Sequence, residues 1–372
     1  MRPVRVLPAT DVAHLARDES RLLRLAVPWH WKSPVSISPH AGAAAAAILE
    51  WFEQLGCTAA ELDRAERFDI GGYVGIPFPT LDCEQTTRIG KYLALWLLWD
   101  DVHVEQLSND WRIDAAAVLG NRRPPGLTRF DEGWWQLMQE FRVNRSPTWI
   151  RRLCDAMQQW SDAAAAEAAV AFHHHETGEV PPFADQLERR IATIGMYGTA
   201  CLLEEIHDDE PPIAFHAHPI VQMLQYLSSK IVGLGNDMFS LAKDCVENQL
   251  NLVSTLMHES SVGVRDALAM LVRLHDEALV QFDHLAAQIE PWAIRIYPGA
   301  ERWVQDLRVA SLGFSLWESQ APRYLAHQIV DNERVLLPRF SYLDQPQPKP
   351  QAQPKPQIVE AFGPLAAGHD CR

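Results

Sequence analysis

The stretch "TRIGKYLALWLLWDDVHVE", residues 87–105, carries a helical pattern directly into a cluster of acids. Good helix formers dominate its first part, and three carboxylates, at Asp100, Asp101 and Glu105, lie at its end. Carboxylates this close repel one another unless a cation neutralises them. The stretch alone therefore leaves two interpretations open. It is either a solvated helix end, or a site where a cation holds the acids beside an apolar region.

The same helical composition extends through most of the first 340 residues. Segments rich in alanine, leucine, glutamate and arginine end at clusters of Gly, Pro or Asn such as "LGNRRPPG", "TGEVPP" and "HDDEPP". No run of alternating β-branched residues predicts a strand, and no repeat of solenoid length is found. We therefore predict an all-α protein with a single domain over residues 1–343.

The bulk composition restricts the classes of function. The chain has 372 residues, 47% of them hydrophobic, and can bury a large core. Its formal net charge of −15 disfavours a nucleic-acid partner, although a divalent metal would still allow a phosphorylated substrate. The first residues lack the apolar run of a signal peptide or membrane span, so we expect a cytoplasmic protein. Six scattered cysteines predict reduced core thiols.

The end of the chain has a different composition from the rest. Residues 344–357, "DQPQPKPQAQPKPQ", consist almost entirely of Pro, Gln and Lys and cannot form a packed core. We predict residues 344–372 to be an extended, mobile tail.

A second polar pattern lies in "GNDMFSLAKD", residues 235–244. Asn236, Ser240 and Asp244 are spaced four apart, so on an α-helix they form one stripe, and Lys243 falls close to the same line. An ordinary solvated helix face would show such a stripe. An amide oxygen, a hydroxyl and a carboxylate beside an ammonium would equally suit a hard metal ion carrying a diphosphate.

In their order along the chain, these patterns resemble the bacterial class I terpene synthases, also called terpene cyclases. "DDVHVE" resembles that family's aspartate-rich motif in its DDxxxE form, and "NDMFSLAKD" resembles its metal-binding triad, with Asp244 in place of the usual Glu. "LWESQAPRY" is similar to the family's W...RY segment, and Arg190 precedes Asn236 by 46 residues, where the family has its diphosphate-sensing arginine. The resemblance spans residues 96–324.

The resemblance implies a helical bundle that encloses an apolar cavity. The activity it implies is the Mg²⁺-dependent ionisation and cyclisation of an allylic prenyl diphosphate, with farnesyl diphosphate as the first choice, to a terpene hydrocarbon or alcohol with release of diphosphate. Three Mg²⁺ ions are implied, for which Mn²⁺ can substitute. The implied metal ligands are Asp100, Asp101, Glu105, Asn236, Ser240 and Asp244. The implied diphosphate-binding residues are Arg190, Lys243, Arg323 and Tyr324, of which Arg190, Arg323 and Tyr324 are the implied catalytic residues.

The division of labour among the acids stays open in the sequence. Helical spacing pairs Asp101 with Glu105, whereas the family's pattern gives most weight to Asp100. For the cavity wall we predict two tryptophans, because an aromatic face attracts a carbocation. These are Trp96, four residues before Asp100, and Trp317. The resemblance further implies that a backbone carbonyl at Ile194 or Gly195 faces the developing cation.

Two rival functions and two misleading motifs are weighed against this hypothesis. A chain-elongating prenyl diphosphate synthase would need a second aspartate-rich motif, and a non-catalytic helical protein that binds prenyl diphosphate would not need every ligand intact. "HHHE", residues 173–176, is expected to be a solvated helix end, and "HDDE", residues 207–210, a loop or helix terminus. A homodimer is left open.

Overall fold

The computed structural model describes residues 24–25, 31, 36–104, 122–247, 249–325, 329–330, 333–334 and 339–340. Helices dominate these residues, which confirms the predicted all-α class. The α-helices are α1 Ala41–Gln54, α2 Ala59–Glu66, α3 Ile70–Gly75, α4 Cys83–Trp99, α5 Arg129–Asn144, α6 Pro147–Thr177, α7 Phe183–Thr193, α8 Met196–Leu202, α9 Ile213–His216, α10 Pro219–Glu247, α11 Leu252–Ser260, α12 Val264–Ile296, α13 Ala300–Glu318 and α14 Pro322–Leu325.

Short irregular elements complete the described chain. A π-helical turn, Asp100–Val104, follows α4, and a 3₁₀ turn, Leu203–Glu205, follows α8. Strands are limited, in this part of the chain, to two-residue segments. They are β1 Arg24–Leu25, β2 Ile329–Val330, β3 Glu333–Arg334 and β4 Arg339–Phe340, with β1 parallel to β4 and β2 antiparallel to β3.

Two sequence predictions fall on residues that the structure does not describe. These are the metal ligand Glu105 and the tail at residues 344–372. Both remain predictions, as does the extent of the domain over residues 1–343.

Local sequence signals set the ends of the two helices that flank the site. Helix α4 begins with a capping box, in which Asp82 accepts from the backbone N–H of Gln85 and Gln85 accepts from that of Asp82. Helix α6 begins at the cap Ser146 with Pro147 in its first turn, and ends at Gly178, whose φ is 74°. These caps place two long helices at fixed points around the bundle.

Helix α10 is the central element of the bundle. It packs against five other helices, α7, α8, α11, α12 and α13. Helix α4 packs on α1, α3 and α5. Large side chains fill the space between the helices, among them the fully buried Trp134, Trp149 and Phe239. Because α10 is surrounded, a polar stripe along it cannot be a solvated face.

Two further predictions concern the burial of the cysteines and the presence of a membrane-spanning helix. The five cysteines in the described part of the chain are free, but Cys83 is exposed and so is not a core thiol. Cys154 and Cys201 are buried as predicted. No helix among the described residues combines the length and the apolar character that crossing a bilayer would require.

Candidate active site

A cavity lies between α4, α6, the break between α7 and α8, α10 and α13. Its lining includes twelve of the residues predicted from the sequence, which come from four separate parts of the chain: Trp96, Asp100, Arg190, Ile194, Gly195, Asn236, Ser240, Lys243, Asp244, Trp317, Arg323 and Tyr324. Asp101 is absent from that lining, and Glu105 lies outside the described residues. The structure thus brings most of the predicted set to one place.

The polar stripe of α10 faces this cavity. Asn236 and Ser240 are 7% and 3% exposed, so the alternative of a solvated helix face is wrong. Ser240 donates to Oδ2 of Asp244 at 2.5 Å, which ties two of the three side chains together. Lys243 is buried beside them, and its Nζ lies 2.6 Å from a carboxylate oxygen of Glu247.

Asn251, a residue that the sequence did not single out, bonds to Asp244, the last residue of the stripe. It is 1% exposed and caps the N-terminus of α11. Its side-chain Nδ2 donates to the backbone carbonyl of Asp237 at 2.8 Å and to Oδ2 of Asp244 at 2.7 Å. Oδ2 of Asp244 therefore accepts from both Ser240 and Asn251, which fixes the rotamer of this short carboxylate. The signal in the sequence that could have identified Asn251 is its position as a helix cap, seven residues after Asp244.

Arg190 reaches α10 from the last turns of α7. Its Nε donates to Oδ1 of Asp237 at 2.6 Å, and its Nη2 donates to the side-chain oxygen of Asn236. Burial opposes the charge on Arg190, but Asp237 and its other acidic neighbours, Glu167 and Asp244, raise the pKa of the guanidinium, so it stays protonated. Burial raises the pKa of Asp237 to about 6, although Arg190 opposes that rise.

The aspartate-rich end of α4 differs from the helical expectation. The turn from Asp100 to Val104 is π-helical, so the angular spacing of an α-helix does not apply to it. Asp101 is 5% exposed and accepts from Nη2 of Arg323 at 2.9 Å. Its backbone carbonyl accepts from Arg64 at 3.0 Å. Of the two adjacent aspartates, Asp100 is the one that lines the cavity, while the pairing of Asp101 with Glu105 stays a prediction because Glu105 lies outside the described residues.

The W...RY segment supplies a further part of the cavity lining. Nδ2 of Asn236 donates to the hydroxyl of Tyr324 at 3.1 Å and to Oε1 of Glu318 at 3.0 Å. Burial raises the pKa of Tyr324, so its hydroxyl keeps its proton. Burial also raises the pKa of Glu318 to about 8. Glu318 lies within the segment "LWESQAPRY", but no sequence pattern indicated a role for it.

Aromatic rings form another part of the cavity lining. The ring of Trp317 lies 4.1 Å from that of Tyr73, centroid to centroid, and its indole N–H donates to the backbone carbonyl of Phe68 at 2.9 Å. Trp96 contacts Trp160 edge to face at 5.3 Å. Tyr73 and Trp160 line the cavity but were missed, since nothing in their local sequence separates them from core aromatic residues.

The break between α7 and α8 depends on one glycine. Gly195 has a φ of 82°, a conformation that residues with a side chain rarely adopt, and a Cβ there would stand 3.0 Å from the ring of Trp96. The carbonyl of Gly195 accepts from both the N–H and the hydroxyl of Thr199. The indole of Trp160 donates to the carbonyl of Thr193 at 2.8 Å. Of the two carbonyls predicted to face the cavity, that of Ile194 is the better candidate.

The two misleading motifs lie elsewhere. In "HHHE", His174 is buried and donates from Nδ1 to the carbonyl of Glu179 at 2.7 Å, so it is not solvated as expected, while His173 is exposed. "HDDE" follows the 3₁₀ turn as a loop. Its Asp208 pairs with Arg145, and its Glu210 accepts from Ser146. Neither motif provides a second aspartate-rich face to the cavity.

Comparison with known proteins identifies the family of this chain. Residues 91–281, just over half of the chain, match the family model described as "Terpene synthase family 2, C-terminal metal binding". The chain belongs to this family and is a bacterial class I terpene synthase. The matched range begins in α4 and contains the whole stripe of α10, but ends before Arg323 and Tyr324.

This terpene synthase is similar to several characterised members. It is 25% identical over 252 residues to the spiroviolene synthase of Streptomyces violens, covering 63% of this chain and 68% of the relative. It is 24% identical over 306 residues to the tsukubadiene synthase of Streptomyces tsukubensis, covering 80% and 89%. The crystal structure of linalool/nerolidol synthase from Streptomyces clavuligerus covers 79% of this chain and 99% of its own, with a TM-score of 0.67 and 20% identity. That structural likeness confirms the terpenoid synthase fold.

The side chains of this terpene synthase suit a hard divalent metal. Asn236, Ser240 and Asp244 offer an amide oxygen, a hydroxyl and a carboxylate, and Asp100 lines the same cavity. No cluster of three or more His, Cys, Asp or Glu that could hold an ion occurs among the described residues. Such an oxygen set is typical of Mg²⁺ sites and unlike a zinc site.

Proposed function

We propose that this terpene synthase ionises and cyclises an allylic prenyl diphosphate, releasing diphosphate and a terpene hydrocarbon or alcohol. It is then a carbon–oxygen lyase that acts on phosphates, and farnesyl diphosphate is its first-choice substrate. The observation that carries the proposal is the lining of one cavity. It combines metal-binding and cationic side chains with aromatic rings.

The polar and cationic side chains of the cavity lining would bind the diphosphate. Mg²⁺, held by Asp100 on one side and by Asn236, Ser240 and Asp244 on the other, would neutralise the leaving group when bound. Arg190 and Lys243 add positive charge from α7 and α10. Stabilising the departing anion by groups already in place is the largest expected catalytic contribution.

Arg323 and Tyr324, from the W...RY segment, would complete the diphosphate site. Tyr324 keeps its proton and can donate it in a hydrogen bond to a phosphate oxygen. Arg323 is held by Asp101 and would turn part of its planar guanidinium toward the diphosphate. Asp101 therefore orients Arg323 in this proposal, whether or not it also contacts metal.

The aromatic wall would shape and protect the cation after ionisation. Trp96 and Trp317 line the cavity, with Tyr73 and Trp160 beside them. Cation–π attraction to such faces is worth on the order of 2 kcal/mol when the cation is desolvated. The carbonyl of Ile194, at the break after α7, is the proposed dipole that faces the cation. Excluding water here prevents early capture of the cation.

The test is direct. Purified protein is incubated with geranyl, farnesyl and geranylgeranyl diphosphate in turn, with and without Mg²⁺, and the volatile products are identified by mass spectrometry. We expect a cyclic terpene from farnesyl diphosphate only when Mg²⁺ is present, and Asn236→Ala or Ser240→Ala should cripple turnover while leaving the circular dichroism spectrum unchanged. Elongated diphosphates as products would instead indicate a prenyl diphosphate synthase. Stabilisation by Mg²⁺ and diphosphate without any product would indicate a binding protein.

A further inference from the structure

Glu318 is a buried acid in the cavity that belongs to none of the metal-binding or diphosphate-binding sets described above. It is 3% exposed at the end of α13 and lines the cavity between Trp317 and Tyr324. Its Oε1 accepts from Nδ2 of Asn236 at 3.0 Å. Its Oε2 has no hydrogen-bond partner within the part of the chain that the structure describes. A buried carboxyl group with this geometry requires an explanation.

The side-chain amide of Asn236 can take two orientations, which exchange the positions of its oxygen and its nitrogen, because the two ends have nearly the same shape. Only its oxygen can bind a metal ion. In the structure both hydrogens of Nδ2 are used, one by Oε1 of Glu318 and one by the hydroxyl of Tyr324 at 3.1 Å. The oxygen Oδ1 therefore points the other way, where it accepts from Arg190.

Of these three partners, Glu318 is the one that selects the orientation during the proposed reaction. A tyrosine hydroxyl both donates and accepts, so Tyr324 would bond to either end of the amide. Arg190 can only donate, but as the proposed diphosphate sensor it would exchange the amide oxygen for phosphate. Glu318 offers an acceptor at Oε1 whether its other oxygen is protonated or ionised, so this role does not depend on its charge.

The packing around Glu318 keeps it in place. Gly235, the neighbour of Asn236, allows α13 to approach α10 closely. A Cβ at Gly235 would stand 3.1 Å from the hydroxyl of Ser315 and 3.6 Å from Oε2 of Glu318. The carboxyl group is thus confined between two helices at hydrogen-bond distance from Asn236.

We propose that Glu318 is a positioning residue, which sets the amide of Asn236 so that Oδ1 faces the cavity as a metal ligand. This inference rests on the proposed function, since it assigns a task at the same metal site. Residues that orient a metal ligand typically change metal affinity by about 10- to 100-fold when they are lost.

The experiment measures binding of Mg²⁺ with inorganic diphosphate by isothermal titration calorimetry, on full-length protein whose fold is checked by circular dichroism. Glu318→Leu removes the acceptor at similar volume and should weaken binding about 10- to 100-fold. Glu318→Gln restores an acceptor and should recover most of that loss. Ser315→Ala is the matched control, one turn earlier on the same face of α13, and should bind like wild type. Glu318→Met replaces the leucine variant if leucine prevents folding.

Repeating the measurement in Asn236→Asp protein separates the orientation of the amide from nonspecific damage to the site. In Asn236→Asp both ends of the side chain are oxygens, so there is no orientation to select. Adding Glu318→Leu to Asn236→Asp should then cause no further loss of affinity. Equal losses in both backgrounds, or wild-type affinity in Glu318→Leu, would overturn the inference and leave the proposed function intact. Wild-type protein that binds no Mg²⁺ with diphosphate would overturn both.

Discussion

Asp101 accepts a hydrogen bond of 2.9 Å from Arg323, a residue 222 positions further along the chain. The pair joins the aspartate-rich turn after α4 to the W...RY segment after α13, and both side chains are buried, 7% and 9% exposed. These two segments of the site are therefore connected directly.

This pairing assigns different tasks to the adjacent acids. Asp100→Asn should lower the affinity for Mg²⁺ with diphosphate by at least about 10-fold, the lower bound for losing an orienting group, with little change in stability. Asp101→Asn leaves a buried guanidinium less well paired and should lower the free energy of unfolding by roughly 1–3 kcal/mol. Calorimetric titration and urea denaturation measure the two effects. The assignment fails if Asp101→Asn weakens metal binding as much as Asp100→Asn does and leaves the stability unchanged.

Arg190 and its neighbour Arg189 form a matched pair for testing the diphosphate sensor. Arg190 bonds to Asp237 and Asn236, whereas Arg189 bonds to Gln186 at 3.2 Å. Arg190→Ala should reduce kcat about 10²–10³-fold, as expected when one anion-stabilising donor is lost. Arg189→Ala should stay close to wild type.

The Arg190 variant should also lose stability, because it leaves the buried Asp237 without its cation. Removing one partner of a buried ion pair costs roughly 3–5 kcal/mol. The structure therefore predicts a loss of stability in addition to the loss of kcat. Steady-state kinetics and chemical denaturation of both variants provide the measurement. Equal kinetics in Arg190→Ala and Arg189→Ala would count against the sensor role.

Asn251 should act on the metal site through Asp244. Asn251→Ser keeps a cap for α11 but loses the amide that donates to Asp244. We expect affinity for Mg²⁺ with diphosphate to fall about 10-fold, in the range for lost orienting groups. Asn251→Ala should show the same loss of affinity and an additional loss of about 1 kcal/mol in stability from the missing cap. If affinity follows stability across the two variants instead, Asn251 has only a structural role.

Trp160 should influence the product more than the binding of diphosphate. Trp160→Phe retains an aromatic ring but removes the donor to the carbonyl of Thr193, beside the break that carries Ile194. We expect a changed ratio of terpene products from the accepted diphosphate, measured by gas chromatography with mass spectrometry. Trp303→Phe is the control, since Trp303 is also buried but does not line the cavity. A product ratio that changes equally in both variants would argue against a specific role.

Deleting residues 345–372 should leave much of the activity. The Pro, Gln and Lys composition of the segment that starts this region cannot form a packed core, so we expect it to add little to the folded domain. Turnover of the truncated and full-length proteins under identical conditions tests this. Complete loss of turnover with an unchanged circular dichroism spectrum would show instead that the tail closes the site.

Local chemistry was sufficient for much of the fold and for one side of the site. Helix-forming composition, with clusters of Gly, Pro or Asn at the helix ends, predicted the helices, because helical hydrogen bonds join residues only four apart. For the same reason, the spacing of Asn236, Ser240 and Asp244 predicted a common stripe. Their order relative to Arg190 and the W...RY segment indicated the family.

The tertiary structure alone decided which way the remaining side chains face. In the π-helical turn, Asp100 lines the cavity and Asp101 bonds to Arg323, a division that the sequence left open. Glu318 and Asn251 contact the metal-ligand stripe from other helices, and no local pattern identified their contacts. The orientation of a buried side chain depends on partners that are distant in sequence and adjacent only after packing. The sequence by itself therefore determined the helices and the chemistry, and packing determined the task of each residue.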